Sequence, residues 1–243
     1  MKTILFINGS PRKNFNTATL VKEAQKGADE TGAKTELFHL SSMNFKGCVS
    51  CFACKRKGAL DKPLCTHQDD LTPLLEKILQ SDGVVIGTPI YYSYPTGMVR
   101  NLLERMMFAA GTYVIDKSNA KLKETSDGVS LTADEEACLD EVYTKRKLTR
   151  IIPVGLIYTM NCPENMAKEF DYPTILAPDK MYLEHIFGYC ETLFSYNTYQ
   201  FKDYSKYDMT LFDEKEKRQH REVQLPIDKQ NAYNLGKKLA KFH

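Results

Sequence analysis

The sequence predicts an α/β fold in which helices cover both faces of a parallel sheet. Three observations support this prediction. Short continuous apolar runs suit buried strands, amphipathic segments of helical period lie between them, and the two types alternate along the chain. The chain contains no internal repeat. We therefore expect its 243 residues to form one domain built as a three-layer sandwich.

The predicted elements follow from these patterns. The five predicted strands span residues 2–8, 34–40, 83–90, 151–159 and 191–199. The predicted helices span residues 17–27, 69–79, 96–107 and 226–242. Three segments exceed a minimal fold of this kind. They are a cysteine-rich loop over residues 41–68, an insertion over residues 108–150 that includes a predicted helix, and a charged surface helix or arm over residues 204–222.

Five strands suit the flavodoxin-like order 2-1-3-4-5 better than the six-stranded order of dinucleotide-binding sheets. In such a sheet strand two lies on one side of strand one, and strand three lies on the other side, so the strand order changes direction between strands one and three. Ligands bind beyond the carboxyl ends of the strands at that switch point. The loops after strands one, three and four are therefore the expected site.

Charge and apolar content disfavour several classes of function. Lys and Arg total 33 and Asp and Glu total 31, a net charge of +2, which predicts no nucleic-acid-binding surface and no polybasic membrane anchor. No apolar run approaches the roughly 20 residues of a membrane helix. The N-terminus shows no signal-peptide pattern. We expect a cytoplasmic protein without nucleic-acid or membrane partners.

The loop after the first strand has the chemistry of an anion site. Residues 9–17 read GSPRKNFNT and lead into a helix N-terminus, where unpaired N–H groups and the helix dipole attract anions. Ser10, Asn16 and Thr17 can donate hydrogen bonds, and Arg12 adds positive charge. The loop matches neither GxxxxGK nor GxGxxG, so a monophosphate suits it best. A helix cap without any ligand is the alternative.

The motif GSPRKNFNTATL resembles the phosphate loop of the NADPH-dependent FMN reductase and iron–sulfur flavoprotein superfamily. Family members often carry glycine where this chain has Phe15, which predicts a different shape for the loop tip. The resemblance implies a flavodoxin-like flavoprotein. The residues implied to hold the FMN phosphate are Ser10, Arg12, Asn16, Thr17 and Ala18.

A second motif follows the third strand at the same edge of the sheet. Its sequence TPIYYSYPTG, residues 88–97, offers a flat aromatic wall and backbone N–H groups, both of which a flavin ring needs. The longer stretch TPIYYSYPTGMVRNLLER resembles the matching segment of the same superfamily. Ordinary core or surface aromatics are the alternative. The implied flavin contacts, with two that follow strand four, are Pro89, Ile90, Tyr91, Tyr92, Ser93, Thr159 and Asn161.

Four cysteines have the spacing Cys48-x2-Cys51-x2-Cys54-x10-Cys65. Closely spaced thiolates suit a [4Fe-4S] cluster. Iron–sulfur flavoproteins carry a similar run of three cysteines and a fourth, usually after a shorter gap. Zinc with His67 as a further ligand, a disulfide, and four reduced thiols are the alternatives.

The resemblance implies an enzyme in which FMN accepts hydride from NAD(P)H and passes electrons to a quinone, a free flavin or another small-molecule acceptor. An electron carrier that uses a cysteine-bound cluster and a flavin-binding sensor without turnover are the competing hypotheses. Neighbouring subunits commonly complete flavin sites in this family. We therefore expect a homodimer or homotetramer, with the insertion over residues 108–150 as the covering element.

Overall fold

A computed structural model describes residues 1–114, 123–125, 128–130 and 148–242. The helix predicted inside the insertion 108–150 lies outside these described residues. Two short strands of the insertion, β5 (Lys123–Thr125) and β6 (Gly128–Ser130), pair antiparallel to each other. Among the described residues, no helix is both long enough and apolar enough to cross a membrane.

The central sheet confirms the predicted topology. Its parallel strands are β1 (Thr3–Asn8), β2 (Lys34–His39), β3 (Gly83–Tyr91), β7 (Val154–Thr159) and β8 (Cys190–Ser195). They lie in the order β2-β1-β3-β7-β8, so the switch point falls between β1 and β3. A two-residue strand, β4 (Tyr94–Pro95), pairs antiparallel with the end of β3 and was not predicted.

Helices cover both faces of the sheet, as the alternating pattern predicts. The helices are α1 (Asn16–Asp29), α2 (Leu71–Gln80), α3 (Gly97–Ala110), α4 (Glu164–Glu169), α5 (Tyr172–Phe187) and α6 (Glu214–Ala240). Apolar side chains of α1 and α6 form one buried cluster with the sheet. Those of α2, α3 and α5 form the other cluster on the opposite face. The fold therefore has three layers and two cores.

Two helices in the C-terminal half, α4 and α5, were not predicted, and three predicted boundaries there are wrong. Strand β7 begins at Val154 instead of residue 151. The last strand ends at Ser195 instead of residue 199, because Asn197 adopts a left-handed conformation (φ 51°) and its N–H bonds to the carbonyl of Cys162 at 2.8 Å. The last helix begins at Glu214 instead of residue 226. Asp213 caps it by accepting a hydrogen bond from the N–H of Glu216 at 2.8 Å. Pro226 lies inside the helix without ending it.

Helices α1 and α6 are in direct backbone contact. A Cβ atom added at Gly236 would lie 1.8 Å from the carbonyl oxygen of Ala24, and one added at Gly27 would lie 2.0 Å from that of Tyr233. Only glycine permits this approach at both positions. The contact sets the position of α6 relative to the loop that precedes α1, and this relation shapes the site described next.

Candidate functional site

A cleft of about 600 Å³ lies at the carboxyl ends of β1, β3 and β7, where the sheet topology places ligands. Its volume falls within the range of small-molecule sites. Ten of the twelve predicted cofactor-binding residues line it. The ten are Ser10, Arg12, Asn16, Thr17, Pro89, Ile90, Tyr91, Tyr92, Thr159 and Asn161.

The remaining two predicted residues, Ala18 and Ser93, do not line the cleft. Ala18 is 1% exposed and its side chain is packed in the core, so only its backbone N–H belongs to the helix N-terminus. Ser93 lies in the turn between β3 and β4, beyond the cleft wall. The predicted contacts of Ala18 and Ser93 with the cofactor stay predictions.

The phosphate loop presents free N–H groups to the cleft. Phe15 occupies the N-cap position of α1, and its side chain makes no capping hydrogen bond. Thr19 is the first residue of the helix whose N–H bonds back to the loop, to the carbonyl of Phe15 at 2.8 Å. The preceding N–H groups are those that a helix start offers to an anion. Ser10 stiffens the loop, because its N–H bonds to Asn8 and its Oγ accepts from the N–H of Arg12, both at 3.1 Å.

Arg12 and Asn16 join the phosphate loop to the segment that follows β8. Arg12 Nη1 donates to the carbonyl of Gln200 at 2.5 Å, and Asn16 Nδ2 donates to that of Tyr199 at 2.6 Å. Arg221 on α6 contacts Asn16 Oδ1 at 3.3 Å, and its guanidinium lies 4.9 Å from the ring centroid of Tyr199. Asn16 therefore links the start of α1 to the segment after β8 and to α6, and it does not cap α1.

The loop predicted after the third strand is a tight hairpin. Ile90 pairs with Pro95 and Tyr91 with Tyr94, which leaves Tyr92 and Ser93 as the two turn residues. Both turn residues have positive φ (48° and 71°), the pattern of a type I′ turn that glycine and asparagine usually form. Tyr92 is 97% exposed, so its ring stands free at the mouth of the cleft.

The wall on the β7 side contains an unsatisfied polar atom. Thr159, the last residue of β7, is buried and shares a hydrogen bond with the hydroxyl of Thr17 at 2.7 Å. Asn161 lies just beyond, and its buried Oδ1 has no hydrogen-bond partner among the described residues. Because orphaned buried acceptors are costly, this atom indicates a ligand N–H in the cleft.

Eleven residues that line the cleft are not among the twelve predicted contacts. Most belong to the segments after β7 and β8, whose aromatic density and position at the same sheet edge were the available signals. They are Phe15, Met160, Cys162, Met166, Phe170, Tyr172, Thr198, Tyr199, Gln200, Leu211 and Phe212. Cys162 is 8% exposed, and burial raises the pKa of its thiol, so it is not a reactive thiolate there.

The four clustered cysteines lie around one small pocket, as their spacing predicts. Cys48, Cys51, Cys54 and Cys65 all line it, together with Arg105. The pocket holds only about 20 Å³, close to the space of a single water. Among the described residues, no three side chains of the metal-binding types converge closely enough to hold a metal ion. The pocket is too small for a [4Fe-4S] cluster, and the described thiols are not arranged to ligate a zinc ion.

Arg105 on α3 fixes one end of this cysteine loop. Its guanidinium is fully buried and donates to Asp69 at 2.5 and 2.7 Å and to the carbonyl of His67 at 2.7 Å. Its Nε has no hydrogen-bond partner of standard geometry. Burial lowers the pKa of Arg105, but the hydrogen bond to Asp69 and then the interaction with Cys65, which lines the same pocket, hold it above its ordinary value.

The fold and the cleft define a flavodoxin-like protein whose switch point carries a phosphate-type anion loop and an aromatic hairpin. The chain belongs to the NADPH-dependent FMN reductase family, whose family model matches residues 2–124. This range contains the phosphate loop, the hairpin and the cysteine loop.

Curated relatives with similar sequences are named iron–sulfur flavoproteins. One from Archaeoglobus fulgidus is 37% identical over 106 residues, covering 44% of this chain and 49% of the relative. Another from Methanocaldococcus jannaschii is 32% identical over 102 residues, covering 42% and 50%. The chain thus spans about half the length of these relatives.

Solved structures resemble the whole chain at low sequence identity. The NAD(P)H:quinone oxidoreductase of Methanothermobacter marburgensis is 13% identical, with a TM-score of 0.61 over 100% of this chain and 98% of its own. An azoreductase of Bacillus anthracis is 12% identical, with a TM-score of 0.56 over 98% and 100%. These matches establish the shared fold.

Proposed function

We propose that this protein is an FMN-dependent NAD(P)H oxidoreductase that passes electrons to a quinone, a flavin or another small acceptor. One observation carries the proposal: the cleft combines the free N–H groups of the α1 N-terminus at one end with the orphaned acceptor of Asn161 at the other. The first suits a phosphate, and the second suits a ring N–H. Family membership supports the same cofactor.

The described residues fit FMN by their chemistry. Arg12, Asn16 and the loop N–H groups would hold the phosphate. The hairpin residues Ile90 and Tyr91 would line the ring, and Asn161 would accept a hydrogen bond from it. When bound, FMN supplies hydride acceptance and electron transfer, and the protein positions and tunes it. No side-chain acid or base is required from this chain.

The mouth of the cleft suits flat aromatic substrates. Tyr92 and Phe170 are 97% and 56% exposed, and Leu211 is 71% exposed, although all three line the cleft. Exposed rings and apolar side chains at a cleft mouth can stack on a nicotinamide or on a planar acceptor. This arrangement supports planar small molecules as substrates.

Anaerobic stopped-flow mixing tests the proposal directly. The protein, loaded with FMN, is mixed with NADPH and separately with NADH, and the absorbance of the bound flavin is followed. Rapid bleaching with at least one donor, followed by recovery when a quinone is added, is the expected result. A flavin that binds but is bleached by neither donor would refute the enzyme and leave the carrier or sensor hypothesis.

The second candidate function is an iron–sulfur electron carrier. It is supported by the position of the four cysteines around one pocket and by the names of the curated relatives. The small volume of that pocket opposes it. The fully buried residues of both sheet cores lie outside the cysteine loop, and Met43, Phe45, Leu64 and Cys65 of the loop pack against one core from its edge. We therefore expect the fold and the FMN cleft to form without a metal.

Anaerobic purification followed by iron and sulfide analysis decides between these candidates. Substoichiometric iron that is unchanged in Cys54→Ala supports the oxidoreductase without a cluster. Iron in near-stoichiometric ratio to flavin, lost in Cys54→Ala, would establish the carrier's metal centre.

We further infer that a second copy of the chain completes the cleft. The apolar side chains of Tyr92, Phe170 and Leu211 line the cleft and are largely exposed in the single chain, and exposed apolar side chains of this kind are typical of interfaces. Light scattering at working concentration should give a dimer or a tetramer, and a monomer would contradict the inference.

A further inference from the structure

Lys217 is a buried cation directly behind the wall of the cleft. It is the fourth residue of α6 and is 1% exposed. Its Nζ donates to the carbonyl of Asn161 at 2.6 Å, to Asn197 Oδ1 at 2.8 Å and to the carbonyl of Thr198 at 3.4 Å. It also lies 4.5 Å from the ring centroid of Phe212. All of these partners are neutral.

No carboxylate in the described part of the chain balances this charge. Among the described residues, Lys217 forms no salt bridge, and Cys162, whose thiol is kept neutral by burial, is the titratable group that acts on it electrostatically. Taking an ammonium group out of water costs several kcal/mol, and neutral acceptors offset only part of that cost. Burial accordingly lowers the pKa of Lys217 to about 8.

A neutral hydrogen-bond donor could hold the same loops together without the cost of burying a charge. An amide side chain of similar length would donate to the same carbonyls. The positive charge is therefore unexplained by the loop contacts alone. Its position offers an explanation, because three of its four partners, Asn161, Thr198 and Phe212, line the cleft.

We propose that Lys217 is the countercharge for reduced FMN, so that the cleft binds the reduced cofactor more tightly than it would without this cation. The inference rests on the proposed function. Hydride transfer from NAD(P)H brings two electrons and one proton to the flavin, which gains one negative charge while the nicotinamide leaves oxidised. A cation held in a poorly hydrated wall stabilises that charge far more than a solvated one.

Lys217 does not line the cleft itself, so it is a positioning and electrostatic residue and not a catalytic one. It acts through the wall in two ways. Its hydrogen bonds hold the backbone of Asn161 and Thr198, and its charge sets the potential behind them. The two contributions separate experimentally, because hydrogen bonds alone affect both redox forms of the cofactor while the charge favours the reduced form.

The test compares Lys217→Gln, which retains a hydrogen-bond donor without the charge, with Lys217→Arg, which retains the charge. Lys215→Gln, an exposed position on the same helix, is the matched control. Dissociation constants of oxidised and reduced FMN are measured anaerobically, together with the midpoint potential of the bound flavin. Lys217→Gln should lower the preference for reduced FMN at least tenfold, which corresponds to a fall of about 30 mV for a two-electron couple.

Lys217→Arg and Lys215→Gln should keep the wild-type preference for reduced over oxidised FMN. The inference is overturned if Lys217→Gln weakens both redox forms by the same factor and leaves the potential unchanged, since Lys217 would then be only a loop clamp. If the wild-type protein binds no FMN at all, the proposed function fails first, and that result is distinct from an unchanged potential in a variant that binds FMN.

Discussion

The close contact between α1 and α6 predicts that Gly236→Ala destabilises the protein. In water-exposed helices this change is favourable by about 1 kcal/mol, because alanine has the higher helix propensity. Here the new Cβ would lie 1.8 Å from the carbonyl oxygen of Ala24 and 2.6 Å from its carbonyl carbon. Ordinary contacts begin near 3.4 Å, so the two helices must separate by roughly 1.6 Å at this point.

The neighbouring atoms are backbone, which cannot rotate away as a side chain can. Overpacking of this kind costs about 1–3 kcal/mol or more, and a backbone clash belongs at the upper end of that range. After subtracting the gain in helix propensity, we expect Gly236→Ala to lose about 2 kcal/mol of unfolding free energy. Separating the helices also moves Arg221 relative to Asn16, so FMN affinity should fall as well.

Urea denaturation of the cofactor-free protein, followed by circular dichroism, measures this loss. Gly97→Ala is the control, because Gly97 also lies in a helix and no heavy atom lies within 4 Å of its added Cβ. The control should be neutral or more stable. If Gly236→Ala proves as stable as that control, the two helices are not packed backbone to backbone, and the reasoning is refuted.

Three further predictions concern the cleft. Arg12→Gln should weaken FMN binding roughly 10- to 100-fold, because one charge-assisted hydrogen bond is lost. Fluorescence titration should show that the same variant binds riboflavin as the wild type does, and that the neighbouring control Lys13→Gln binds FMN as the wild type does. Thr17→Val should cost about 1–2 kcal/mol by leaving Thr159 unpaired, and adding Thr159→Val should restore part of it in urea denaturation. The folded pKa of Lys217, about 8, lies below its usual 10.5, so the unfolded chain binds more protons between these values. Wild-type stability relative to Lys217→Met should therefore rise by about 2 kcal/mol from pH 8 to pH 10, and a fall would contradict the burial argument.

The sequence by itself determined the fold and most of one side of the cleft. The apolar runs of β1 and β3 and the loop between β1 and α1 are local patterns, and local patterns are what periodicity and turn chemistry report. Because parallel strands place their carboxyl ends at one edge, these patterns also located Ser10, Thr17 and Pro89 near one another.

Other features depend on contacts between distant parts of the chain. Pro226 reads locally as a helix start, yet α6 runs through it from Glu214, because packing of the helix on α1 outweighs one missing hydrogen bond. Tyr92 and Ser93 lack the usual glycine or asparagine of a type I′ turn. Their hairpin forms because β3 extends to Tyr91 and pairs with β4.

Only the tertiary structure decided the chemistry of the wall behind β7. Lys217 lies in a highly charged stretch that reads as solvated surface, and its burial results from the loops at residues 160–162 and 197–198 closing around its ammonium group. The cysteine spacing likewise indicated convergence but not the size of the pocket, which depends on how the loop packs against α3 and Arg105. Charge and shape at both places are set by residues far apart in sequence, and no local pattern records that relation.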